Sequence, residues 1–212
     1  FEVLKNLDMA AWKIGSGEFY NSELIEKMIK TKKVILISTG MSNFKEIKKL
    51  DKYLTSKKAR HIFMHCSSIY PCPPDKINLE RIDSLKEHFG PLVGFSDHSG
   101  TIFPSISAVT KGAKIIEVHV KLSKHGFGPD HSSSITIKEL KMLVNGVKFI
   151  NSAINATDNK NDERISNKKL FTKSAFAADL IKSGQILNND NVIMKKPGIG
   201  ISYDAIKGLI GK

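Results

Sequence analysis

Residues 34–46, V-I-L-I-S-T-G-M-S-N-F-K-E, carry the pattern that decides the fold. Val34–Ser38 is a short apolar run of the kind buried in a sheet. Asn43, followed three positions on by Glu46, forms a capping box that opens a helix through Leu50. A buried strand feeding a capped helix is a βα unit, and the pattern recurs. Apolar runs lie at 11–14, 61–66, 92–96 and 115–120. After the first, Leu24, Met28 and Ile29 mark a helix face. After the third, Leu79, Ile82, Leu85 and Phe89 repeat at helical spacing until Gly90-Pro91 stops them. Pro104 and Gly112 bracket a fourth helix, and a Thr136/Glu139 capping box opens a fifth with the stripe Leu140, Leu143, Val147, Ile150 and Ile154. Strands alternating with helices predict an α/β fold with a parallel sheet, five units within residues 1–155.

Composition narrows the class. The chain has 212 residues, 41% hydrophobic and 25% charged, as in an ordinary globular protein. No apolar run approaches the roughly 18 residues of a membrane span. Cys66 and Cys72, spaced C-x5-C, match no common metal or redox motif and read as reduced thiols of a cytoplasmic protein. The formal charge of +12 suits an anionic partner: nucleic acid, a membrane surface or a small substrate. Arg60, Arg81 and Arg164 are the only arginines, and the lysines are spread along the chain. No nucleic-acid-binding motif is present, so the charge reads as lysine bias and neither nucleic acid nor membrane is expected as a partner. Residues 156–169 are polar and aperiodic, a linker. Residues 170–212, broken by Ser183-Gly184 and Pro197-Gly198, read as a small β-rich module.

In parallel α/β folds ligands meet the C-terminal ends of the strands. Here those ends carry K-I-G-S-G-E (13–18), S-T-G-M (38–41), H-C-S-S-I-Y (65–70), S-D-H-S (96–99), and Glu117 and His119 followed by G-P-D-H (128–131). Strand alternation puts Glu117 and His119 on one face, with Ile116, Val118 and Val120 on the other. An interior Glu and His need partners: they form either a buried pair or a metal site with His119 as ligand. His98, at the end of the preceding strand, reaches the same ion if the two strands are neighbours. Lys13 with Ser16, flanked by Gly15 and Gly17, suits a phosphate or carboxylate; the alternative is a lysine snorkelling to water.

Taken together, K-I-G-S-G-E, I-S-T-G-M-S, H-C-S-S-I-Y-P, G-F-S-D-H-S-G and E-V-H-V…G-P-D-H resemble the N-acetylneuraminate (sialic acid) synthase family, whose relatives include legionaminate and pseudaminate synthases. K-S-A-F-A-A-D-L-I-K-S-G and M-K-K-P-G-I-G resemble the start of that family's SAF, or antifreeze-like, domain. The resemblance implies a (β/α)8 TIM barrel followed by the SAF domain, and condensation of phosphoenolpyruvate with an N-acylated amino sugar such as N-acetylmannosamine, with release of phosphate. It implies a divalent cofactor, typically Mn2+, bound by His98 and His119 with Glu117 in support. By the same resemblance Lys13 and Ser16, together with Ser96, would hold the phosphoenolpyruvate phosphate or carboxylate. It further implies that Glu18, Tyr70 and Asp130 would contact the sugar or assist proton transfer near it. A homodimer is implied, with the SAF domain covering the partner's barrel. Two positions depart from the pattern: Ser68 stands where the family often has Asn, a phosphoenolpyruvate contact, and Lys196 where it commonly has Arg reaching the N-acyl group. Lys lacks Arg's planar fork.

Five units do not close an eight-stranded barrel, so the expectation is a barrel portion (1–155), a linker (156–169) and a partial SAF domain (170–212). Other readings are a metal-dependent aldolase or isomerase on the same barrel, and an inactive fragment of a synthase.

Overall fold

The computed structural model describes residues 1–157 and 162–212. Contacts divide the chain into two units, Phe1–Asn155 and Ala156–Lys212. In the first, six strands form one sheet in chain order: β1 Ala11–Ile14, β2 Val34–Ser38, β3 His61–Cys66, β4 Gly94–Asp97, β5 Ile115–Lys121 and β6 Ser134–Thr136. Every neighbouring pair is parallel. Five helices follow the strands: α1 Ser22–Lys30, α2 Phe44–Ser56, α3 Glu80–Phe89, α4 Phe103–Thr110 and α5 Ile137–Ile154.

Local chemistry sets the helix ends. Both capping boxes form, Asn43 with Glu46 and Thr136 with Glu139. At α1 the Asn21 side chain accepts the Leu24 N–H. Gly90 ends α3 with φ 92°, a conformation costly for any residue with a Cβ. The predicted strand at 92–96 sits slightly later, at Gly94–Asp97, with Val93 fully buried just before it. The three-residue β6 lies directly ahead of the Thr136 cap and is too short to show a period of its own.

One strand face packs on the helices. Trp12, Ile14, Ile35, Ile37, Phe63 and Phe95 meet Ile25, Met28, Ile47, Leu54, Ile82 and Leu85 in one buried cluster. The opposite face is concave. Lys13 on β1 and Glu117 on β5 lie 3.3 Å apart although three strands separate them in the sheet. At about 4.8 Å per strand a flat sheet would hold those backbones roughly 19 Å apart, so the sheet is curled. The stripe on α5 is only partly covered: Leu143 is buried, while Ile154 is 55% exposed.

The second unit holds α6 Asp162–Phe171, β7 Ser174–Ala177, β8 Val192–Lys195 and α7 Tyr203–Lys207, with β7 and β8 antiparallel. Part of the segment 156–169 is therefore helical, and 158–161 lie outside the described residues. Residues 163–171 are all exposed, so α6 has no buried stripe to impose a readable period.

The burial pattern predicts a contrast. Leu85→Ala, from a fully buried site, costs about 2–5 kcal/mol. Val144→Ala, 42% exposed on α5, stays within about 0.5 kcal/mol. Urea unfolding followed by far-UV circular dichroism measures both.

Candidate active site

Parallel register brings the ends of the central strands to one level. Cys66 pairs with Ser96, and Ser96 with Glu117, on adjacent strands. Period-two alternation turns these side chains, with Lys13 and Ser38, onto the concave face. There they form a chain of contacts. The Lys13 ammonium donates to Ser38 Oγ at 2.8 Å and lies 3.3 Å from Glu117 Oε2. Glu117 Oε1 accepts from Ser96 Oγ at 3.0 Å. An incoming anion would meet one cation and two hydroxyls, Ser38 bonded to that cation and Ser96 to its carboxylate partner Glu117.

A second group adjoins it. Ser16 Oγ lies 3.2 Å from Cys66 Sγ and accepts the Gly40 N–H at 3.1 Å. A Cβ built on Gly40 would sit 2.5 Å from Ser68 Oγ, 2.7 Å from Cys66 Sγ and 3.0 Å from Ser16 Oγ. Among the described residues, Ser68 Oγ is buried without a hydrogen-bond partner. A buried hydroxyl left unpaired is a donor awaiting an acceptor. Gly15 and Gly17 face open space at the strand end.

The imidazoles form the third group. β4 and β5 are neighbours, as the metal reading of His98 and His119 requires. The two rings stand 5.3 Å apart, nearly perpendicular at 86°. His98 Nδ1 lies 2.8 Å from the Ser67 carbonyl, which accepts and therefore fixes the proton on Nδ1. Nε2 is left with its lone pair, and Tyr70 Oη donates to it at 3.1 Å. Burial is the main cause lowering the His98 pKa, outweighing the Ser67 hydrogen bond that raises it. Tyr70 is raised by burial and by the nearby Cys66, Asp130 and Glu117. Its ring lies 4.2 Å from that of His98 and 5.8 Å from that of His119. His119 Nδ1 lies 3.6 Å from Asp130 Oδ2. A ring nitrogen fixed by a backbone carbonyl is the arrangement metal-binding histidines use. Among the described residues, no set of three or more His, Cys, Asp or Glu is assembled as a metal cage.

The sequence-based candidates thus converge, with two exceptions. Glu18 stays exposed on the rim, its Oε2 accepting from Asn21 Nδ2 at 2.7 Å. Lys196 belongs to the second unit, its Nζ 5.3 Å from the centre of the Phe171 ring. Three contributors carry weak sequence signals. Ser38 belongs to a Ser-Thr-Gly turn common in loops, and Cys66 reads as an ordinary buried thiol. Asp97, 2% exposed, accepts the Ser99 N–H at 2.8 Å and Ser105 Oγ at 2.9 Å, anchoring the turn that presents His98. Its signal is the Asp-x-Ser spacing of an Asx turn.

Known proteins carry the same chain pattern. Residues 1–159 match the sequence profile of the NeuB family. The chain is 36% identical over 215 residues to N,N'-diacetyllegionaminic acid synthase of Campylobacter jejuni, matching all of this chain and 64% of that one. It is 32% identical over 216 residues to human N-acetylneuraminate-9-phosphate synthase, covering 60% of it. Among solved structures, the N-acetylneuraminic acid (sialic acid) synthetase of Leptospira borgpetersenii, in complex with citrate, superposes with a TM-score of 0.72 at 29% identity, over 79% of this chain and 59% of that one. The chain thus spans somewhat under two thirds of the length of these relatives. Its curled parallel sheet and outer helices are a portion of a TIM-barrel-like α/β fold. No described helix is long and apolar enough to cross a membrane. With the strand-end residues in register and the profile matched across the whole sheet, this chain belongs to the NeuB family, that of the sialic acid synthases.

Proposed function

We propose that the protein containing this chain is a nonulosonic acid synthase, condensing phosphoenolpyruvate with an N-acylated amino sugar and releasing phosphate. One observation carries this reading: a lysine, a group of hydroxyls and a pair of imidazoles stand together at the C-terminal ends of five strands. The first two suit an anionic, phosphate-bearing substrate. The imidazole pair suits a divalent cation that keeps open positions.

In this reading Lys13, Ser38 and Ser96 hold the phosphoenolpyruvate anion, which competes with Glu117 for the ammonium. Ser16, Ser68 and the Gly40 backbone form the rest of the cradle. Fixing both substrates turns a bimolecular step into an effectively unimolecular one. C3 of phosphoenolpyruvate bonds to the sugar's carbonyl carbon, whose oxygen takes a proton. Water adds its oxygen at C2, the bond from C2 to the phosphate oxygen breaks, and phosphate leaves with the electron pair, giving a 2-keto acid. Asp130 and Tyr70 stand beside His119 and His98 to orient the sugar and to move protons. Glu18 reaches the sugar from the rim by exchanging Asn21 for a hydroxyl. His98 and His119 hold the divalent ion, Mn2+ in our reading, which when bound supplies Lewis acidity toward the sugar oxygen. The second unit is read as part of an SAF domain that places Lys196 over the barrel of a partner in a homodimer.

The test incubates the complete gene product with phosphoenolpyruvate, Mn2+ and a panel of N-acylated amino sugars, following phosphate and the keto acid by mass spectrometry. Phosphate formed in step with the keto acid is expected. Aldol cleavage or isomerisation without phosphate release overturns the reading. His119→Ala loses metal-dependent turnover, and titration calorimetry shows weakened Mn2+ binding. Lys13→Ala removes a charged hydrogen-bond donor worth about 1.5–3 kcal/mol. It lowers kcat/KM for phosphoenolpyruvate by roughly ten- to a hundredfold, with the KM for sugar little changed. Lys196→Arg restores the planar fork and lowers the KM for the acylated sugar alone.

A further inference from the structure

At the opposite end of the sheet, where β2 and β3 begin, the surface folds into a cavity of about 490 Å3. Its lining holds six cations, Lys30, Lys32, Lys33, Lys57, Lys58 and Arg60, with the apolar Ile29 and Ala59 between them. No carboxylate lines it among the described residues. Lys33 pairs with Asp8 at 3.4 Å and also donates to the Met9 carbonyl. Among the described residues Lys57 pairs only with Glu26, at 3.7 Å, besides resting 5.5 Å from the centre of the Tyr53 ring. Lys30, Lys32 and Lys58 have no carboxylate partner among the described residues.

Two of these lysines stand in strained backbone. Lys32 has φ 59° and Lys58 φ 54°, each just past the end of a helix. That is where glycine is usual and a side chain costs free energy. Helix C-termini favour a nearby cation, which accounts for Lys30 and Lys57 but needs no charge at the left-handed positions. Arg60, one of three arginines in the chain, donates to the Lys32 carbonyl at 2.9 Å and ties the two corners together. Four of the six cations, Lys30, Lys32, Lys58 and Arg60, have no carboxylate partner among the described residues and repel one another until an anion enters, and each strained lysine adds charge where glycine would relieve the backbone.

We infer that this cavity binds a compact oligophosphate, separately from the proposed active site at the other end of the strands. A concavity of this size with several converging ammonium groups suits a di- or triphosphate, free or on a nucleoside, better than an extended polymer. The ligand's charge density is what the lysines read.

Titration calorimetry with inorganic tripolyphosphate, in the complete gene product, tests this. Saturable binding at one site is expected, weakening as salt rises. The double variant Lys32→Gly/Lys58→Gly removes two charges while relaxing the backbone, so it folds at least as stably. It is expected to weaken binding tenfold or more. Lys141→Ala/Lys148→Ala removes the same charge from α5 and is expected to change affinity less than twofold. Equal affinity for ATP and tripolyphosphate identifies the phosphates alone as the ligand; tighter ATP identifies a nucleoside phosphate. Equal losses in the two double variants, no saturable binding, or clear preference for single-stranded nucleic acid over tripolyphosphate each overturns the inference.

Discussion

A period of two along six parallel strands in register is the constraint on which this molecule rests. What faces the helices is apolar except at the strand ends, where His65 and Asp97 are buried with hydrogen-bond partners, and what alternates with it is delivered to the concave face at the same level as its neighbours. Trp12 and Ile14 in the core place Lys13 between them on the other side. Phe95 in the core does the same for Ser96, and Ile116 for Glu117. The polar face is therefore the complement of the core, and a slip of one residue in any strand would exchange the two.

The fold was largely legible because its signals are local. Capping boxes at Asn43/Glu46 and Thr136/Glu139 mark helix starts by hydrogen bonds reaching only three residues. β6 and α6 escaped for opposite reasons: one is three residues long, the other exposes its described side chains and so has no apolar period. In the site, alternation alone placed Glu117 and His119 together. The ion pair from Lys13 to Glu117 was not legible, because it depends on the curl of the sheet across strands that are not neighbours. Nor does spacing show that Glu18 turns to Asn21.

The two ends of the sheet treat the same lysine-rich composition differently. At the C-terminal end, Lys13 is half-buried and balanced by Glu117, so its position is fixed by a network. At the N-terminal end, Lys30, Lys32 and Lys58 stand in solvent, where a charge is weakly localised and screened by salt. The formal +12 therefore includes cations of unlike kind, Lys13 held by geometry and Lys30, Lys32 and Lys58 open to counterions.

Gly40 sits where three side chains meet: Ser16, Cys66 and Ser68 all lie within 3.0 Å of the point its Cβ would occupy. None of the three is charged, and Lys13 and Glu117 are not among them. One methyl group at this position would therefore turn the hydroxyls and thiol aside while leaving the ion pair intact. The strand-end geometry thus separates two properties usually lost together, the shape of the anion cradle and its electrostatic potential, and assigns the first to a single hydrogen atom.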